Sequence, residues 1–63
     1  MGKSINIGRT IARERRRAGV TQEALAAHLG VSKAAVSKWE LGQSLPDVCL
    51  LPRIAAYFSL TLD

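Results

Sequence analysis

An all-α fold is predicted by three features of this 63-residue sequence. Gly19, Gly30 and Gly42 each close a stretch of helical periodicity, at the position where a left-handed residue ends a helix. Asn6 or Ser4, Thr21, Ser32 and Asp47 stand at the corresponding starts, where their side-chain oxygens can accept orphan amide hydrogens. No segment alternates apolar and polar residues with period two over strand length. The expectation is a compact bundle of four to five helices.

The first helix is expected at about 6–18. At roughly 100° per residue, Ile7, Gly8, Ile11, Ala12, Arg15 and Ala18 share one arc. Arg9, Arg13, Arg16 and Arg17 lie opposite, so Arg15 alone among these arginines faces the core. A guanidinium placed there either finds a carboxylate or carbonyl partner, because an unpaired buried charge is costly, or snorkels with its head in water.

The second and third helices are expected at about 21–29 and 32–41. Leu25, Leu29, Val31, Val36 and Trp39 supply apolar positions, Ala26 is small where two helices would cross, and Gly30 opens a tight turn. That spacing suits two helices at about 90–120° joined by a short turn, a helix-turn-helix over about 21–41. In the third helix, Ala35, Val36 and Trp39 fall on one side and Lys33, Ala34, Ser37 and Lys38 on the other. The second face is either a solvated surface or one sized and charged for a DNA major groove.

A fourth helix is expected at about 47–58, with Leu51, Ile54, Ala55 and Phe58 as its apolar stripe. Pro52 conflicts with a helix starting at Asp47, because it lacks an amide hydrogen and disfavours helical backbone at Leu51. Asp47 to Leu51 therefore read as a loose or 3₁₀-like turn, with regular helix beginning near Pro52. Thr61-Leu62-Asp63 reads as the first turn of a fifth helix. The whole chain reads as one domain over residues 1–63, standing alone or as the N-terminal part of a longer protein.

A chain of this size buries roughly 60% of its unfolded surface and must lean on staples, association or tight helix packing. The single Cys49 excludes an internal disulfide, and one Cys with one His28 cannot build a four-ligand zinc site. No metal or cofactor is expected. No nucleophile–His–acid set or phosphate loop is present, so an enzyme is not expected. No run approaches the ~18 apolar residues of a membrane span, and the N-terminus lacks a signal-peptide core, so a cytoplasmic protein without a membrane partner is expected. His28 reads as a surface residue, Cys49 as a small semi-buried apolar residue, Trp39 as core and Tyr57 as a cover on the core rim.

The net charge is +4, unevenly placed. Eight basic and two acidic residues lie through Lys38, whereas one basic and three acidic residues follow from Trp39 onward. A basic front half suits a polyanion, although clustered charge is often only a solvated surface.

The ordered segments Arg15, "GVTQEALAAHLGVSKAAVSKWELG" and "PD…LL..IAAYFSLTLD" resemble the lambda-repressor and Cro-like helix-turn-helix proteins over nearly the whole chain. The resemblance implies a compact five-helix DNA-binding bundle that commonly acts as a dimer. It implies that Gln22, after Thr21, opens the first motif helix and holds DNA, and that Ser32, Lys33, Ala34, Ser37 and Lys38 form the base-reading face. It implies phosphate contacts from Gln43 and Ser44, and a structural ion pair between Arg15 and Glu40. Lys33 or Lys38 could donate to guanine or to phosphate, Ala34 could meet a thymine methyl, and the serines could do either. The chain departs from the pattern at Ala34 and Ala35, which are poor in hydrogen-bonding groups, at Pro52, and in a fifth helix reduced to one turn.

The expected function is therefore sequence-specific binding of double-stranded DNA by a bacterial or phage transcriptional regulator, a repressor in the first instance. The expected partners are a palindromic operator and a second copy of the chain, as a weak or DNA-induced homodimer. Two alternatives compete: a protein-interaction or antitoxin-like adaptor on the same fold, and the DNA-targeting piece of a larger sensor or enzyme.

Overall fold

The computed structural model describes residues 6–62, with side chains as far as Leu60. Ser4, the alternative first cap, and Asp63 lie outside the described residues. Four α-helices follow in order: α1 (Ile7–Ala18), α2 (Gln22–Leu29), α3 (Lys33–Leu41) and α4 (Leu51–Leu62), with a 3₁₀ turn over Val48–Leu50 before the last. No strand occurs among the described residues.

Each boundary has a local cause. The side chains of Asn6, Thr21, Ser32 and Asp47 accept from the backbone amides of Arg9, Ala24, Ala35 and Cys49 at 2.9, 3.0, 3.1 and 3.3 Å. These bonds satisfy amides that have no partner inside a helix. At the other end of α2, Gly30 takes φ +75°, and its amide donates to Ala27 while that of Val31 donates to Ala26. Only glycine adopts this backbone cheaply, and the paired bonds close the orphan carbonyls. The same pattern ends α1 at Gly19 and α3 at Gly42.

The helices meet in one core of Ile11, Leu25, Ala26, Leu29, Val36, Trp39, Ile54 and Phe58, within which Leu25 and Val36 are wholly covered. Burying side chains of this size stabilises by about 1.5–3 kcal/mol each. Ala26 is buried at the packing of α2 on α3. Gly8 lies where α1 crosses the end of α3, against the backbone of Trp39 and Glu40. All six residues expected on the inner arc of α1 are buried or half-buried, whereas Arg9, Arg13, Arg16 and Arg17 are exposed.

Two expectations are corrected. Thr61 and Leu62 continue α4 instead of opening a fifth helix. No glycine or proline interrupts the chain after Phe58, so nothing stops the helix there. Cys49 is exposed instead of semi-buried. It occupies the short 3₁₀ turn, in which Leu50 alone turns partly inward. Pro52 falls in the first turn of α4, where a missing amide hydrogen costs little.

α4 is fastened to the motif by contacts with no obvious sequence signal. Arg53 donates to the carbonyls of Leu29 and His28 at the end of α2, at 3.5 and 3.2 Å. The exposed His28 ring lies 4.3 Å from that of half-buried Tyr57. Pro46 is buried within the loop that leads into the 3₁₀ turn.

Candidate nucleic-acid interface

The nine residues of α3 divide into a fixed back and an open front. Val36 and Trp39 anchor the back in the core, with half-buried Ala35 beside them. Lys33, Ala34 and Lys38 are exposed at the front, and Ser37 is half-buried between them. Gln43 and Ser44, just beyond the end of the helix, are exposed as well. The structure thus brings the expected base-reading residues onto one surface and places the expected loop residues next to it in the chain.

Thr21 and Ser32 cap their helices and remain open to the outside. Each hydroxyl oxygen accepts from its own helix as an N-cap, but each residue is exposed and keeps its O–H free to donate outward. The amino end of α2 also presents the positive pole of its backbone dipoles, which favours an anion.

Behind this front, Arg15 reaches from α1 to the end of α3. Its Nε donates to Glu40 Oε2 at 2.7 Å and its Nη2 to Oε1 at 3.0 Å, while Nη1 donates to the Val20 carbonyl at 3.0 Å. The pair is largely covered, with 14% of the Arg15 and 7% of the Glu40 side chain exposed. This planar, two-point geometry is one that arginine makes and lysine does not. The Glu40 hydrogen bond is the main cause holding the Arg15 guanidinium above its ordinary value, against the opposing effect of burial. For Glu40, burial pushes the carboxyl up, but hydrogen bonds from Arg15 and Gln22 and the charges of Arg15 and Arg16 together hold it below its usual value. Both groups stay charged, and no buried side-chain polar atom among the described residues is left without a partner.

Gln22 joins this cluster: its Nε2 donates to Glu40 Oε1 at 3.0 Å. The residue expected at the DNA surface is therefore held in one orientation by the ion pair, with its amide oxygen and second amide hydrogen remaining for an outside partner. That linkage had no signal in helical periodicity, because Gln22 and Glu40 sit on different helices.

The arrangement offers cations, hydroxyls and helix amino ends on a rigid frame, which is the chemistry of phosphate and base-edge contact. No group of three or more His, Cys, Asp or Glu suited to a metal occurs among the described residues. No helix among them is long and apolar enough to cross a membrane.

The chain is 48% identical over 44 residues to the HTH-type transcriptional activator BcrR of Enterococcus faecalis, an overlap covering 70% of this chain and 22% of that protein. The match thus spans less than a quarter of that relative's length. No solved structure gives a significant match. The helix-turn-helix family model matches residues 11–63, from the inner arc of α1 onward. The chain belongs to the lambda-repressor and Cro-like helix-turn-helix family of DNA-binding domains.

Proposed function

We propose that this chain is the sequence-specific double-stranded DNA-binding module of a transcriptional regulator, with α3 lying in the major groove. The observation that carries the reading is the division of α3, whose Lys33, Ala34, Ser37 and Lys38 front is presented by a back locked in the core. In this placement Lys33 and Lys38 donate to guanine edges or phosphates, Ala34 packs on a thymine methyl, and Thr21, Gln22, Ser32, Gln43 and Ser44 hold the backbone.

One such module covers a short half-site, so useful specificity calls for two copies about 34 Å apart on a palindromic operator. Among the described residues, Leu45, Val48 and Leu60 are the exposed large apolar residues away from α3, too few for a stable interface of roughly 1,600 Å². On these residues the copies pair weakly, or only on DNA. Sedimentation of these 63 residues at tens of micromolar without DNA should give a monomer or a weak dimer, and a tight dimer would contradict this arrangement.

Occluding a promoter is the action that a DNA-binding module can exert by itself, which makes repression the proposed outcome of its own binding. The greater length of the relative named as an activator favours a second reading, in which the module directs a longer regulator to its site. Selection from a random DNA library tests the common core of both. Recovery of one short motif, bound with an affinity that falls steeply with salt, is expected. Binding that ignores salt, or no binding at 50 mM salt, would sink the DNA reading.

A further inference from the structure

We infer that Arg9, Arg13 and Arg16 form a second phosphate-binding track on α1, which grips the DNA backbone flanking the site read by α3. The inference rests on the DNA-binding reading and adds to it a surface outside the recognition face. Arg9, Arg13 and Arg16 face Glu40, Leu41 and Gly42 across an open groove of about 470 Å³.

The three arginines follow at i, i+4 and i+7, so they form one row along the helix. At 1.5 Å per residue the row is about 10 Å long. One DNA strand advances about 3.4 Å along the axis per phosphate, and its phosphates lie further apart along the winding backbone, so the row faces about two successive phosphates and reaches a third where the long side chains splay.

The guanidiniums are available to an outside anion. Among the described residues the Arg9 and Arg16 side chains donate no hydrogen bond. Arg13 has one weak exposed contact, to Glu14 at 3.4 Å, and Arg17 competes for the same oxygen at 3.3 Å. The carboxylate in the groove, Glu40, is already neutralised by Arg15. The groove thus carries three arginines against one carboxylate, which is hydrogen-bonded to Arg15 and feels the charge of Arg16 without a hydrogen bond from it.

Its position continues the recognition face. Ala34, Lys38 and Leu41 lie at i, i+4 and i+7 on α3, and Leu41 and Gly42 form the groove wall. Gln43 and Ser44 follow directly. A strand held by Lys38 and this loop runs on toward α1, with 68%-exposed Leu41 lying against its sugars. An acidic protein segment would find only Leu41 and Ala12 as apolar contacts here, too little for a protein interface.

The test compares the parent with R9Q/R13Q/R16Q and R9K/R13K/R16K, using a selected DNA site embedded in longer flanks. Neutralising the row should lower the log–log salt slope by about 0.9 for each phosphate released, close to 2.7 for all three. Hydroxyl-radical protection should disappear outside the core site while the selected motif stays the same. The lysine variant should retain most of the slope, because phosphate accepts a point charge. Thermal melts within a few degrees of the parent would establish that the variants fold, as expected for exposed side chains. A glutamine variant with the parental slope and footprint overturns the track, and so does one that loses an acidic protein partner with DNA binding intact. A parent that binds no DNA overturns the DNA reading first and this one with it.

Discussion

Gly8 of α1 lies so close to the backbone of Trp39 that a single added methyl has no place to go. A Cβ at Gly8 would overlap the Trp39 carbonyl oxygen and come within 2.9 Å of its carbonyl carbon and 3.3 Å of Glu40 Cα. The obstacle is backbone, which cannot rotate aside. Gly8, in the first turn of α1, thereby sets how closely α1 crosses α3.

Gly8→Ala should accordingly destabilise the protein, although alanine elsewhere in a helix interior gains about 0.5–1 kcal/mol over glycine. Overpacking typically costs about 1–3 kcal/mol, and a backbone clash belongs at the upper end. Chemical denaturation measures it. A neutral or stabilising Gly8→Ala would show that α1 can slide along α3.

Arg15→Ala should lose far more stability than Arg16→Ala or Arg17→Ala. Removing one partner of a buried pair costs about 3–5 kcal/mol, and this pair, at the edge of the core, belongs near the lower figure. Exposed pairs are worth about 0–1 kcal/mol, which covers Arg17 with Glu14. A double-mutant cycle with Glu40→Gln isolates the coupling, and equal losses at all three arginines would refute it.

Acid should act through Glu40. Its carboxyl is held below the usual value in the folded state, so the folded form resists protonation more than the unfolded chain does. The stabilisation is complete above the unfolded carboxylate range, about pH 4.3, and is lost as pH falls through the lower folded value. Melting temperature followed from pH 6 to pH 2 should drop more steeply for the parent than for Glu40→Gln. Parallel curves would mean that the pair contributes nothing to acid sensitivity.

Ser32→Ala and Lys33→Ala should separate stability from recognition. Losing the Ser32 cap costs about 1 kcal/mol of stability, whereas exposed Lys33 carries no hydrogen bond within the described residues and should leave the melt unchanged. Lys33→Ala should instead cost about 1–3 kcal/mol at one base pair if it reads guanine, or weaken all sequences alike if it holds phosphate. Parental binding to every sequence would remove Lys33 from the interface.

Most of the fold is legible locally, because caps and glycines act within four residues of their own position. Asn6, Thr21, Ser32 and Asp47 cap as their chemistry dictates, and the wheel turns Arg15 inward before any partner is known. What stays hidden depends on distance. The Arg53 bonds to the end of α2, the Gln22 tie to Glu40 and the depth of Gly8 join residues at least 18 positions apart. The end of α4 is misread because Thr61 resembles a cap, but no preceding residue breaks the helix. The inner or outer sense of Cys49 turns on one 3₁₀ turn, too short to show periodicity.

The two-sided build of α3 has an evolutionary consequence. Val36, Trp39 and Glu40 hold the helix by its back, and Lys33, Ala34 and Lys38 contribute almost nothing to that hold. Those front positions are free to drift as far as folding is concerned, and under the proposed placement of α3 in the major groove such substitutions would change which operator is preferred. A duplicated copy of this gene could acquire a new set of targets in a few steps without crossing an unfolded intermediate. Divergence of regulatory networks would then be limited by the operators available and not by the durability of the scaffold.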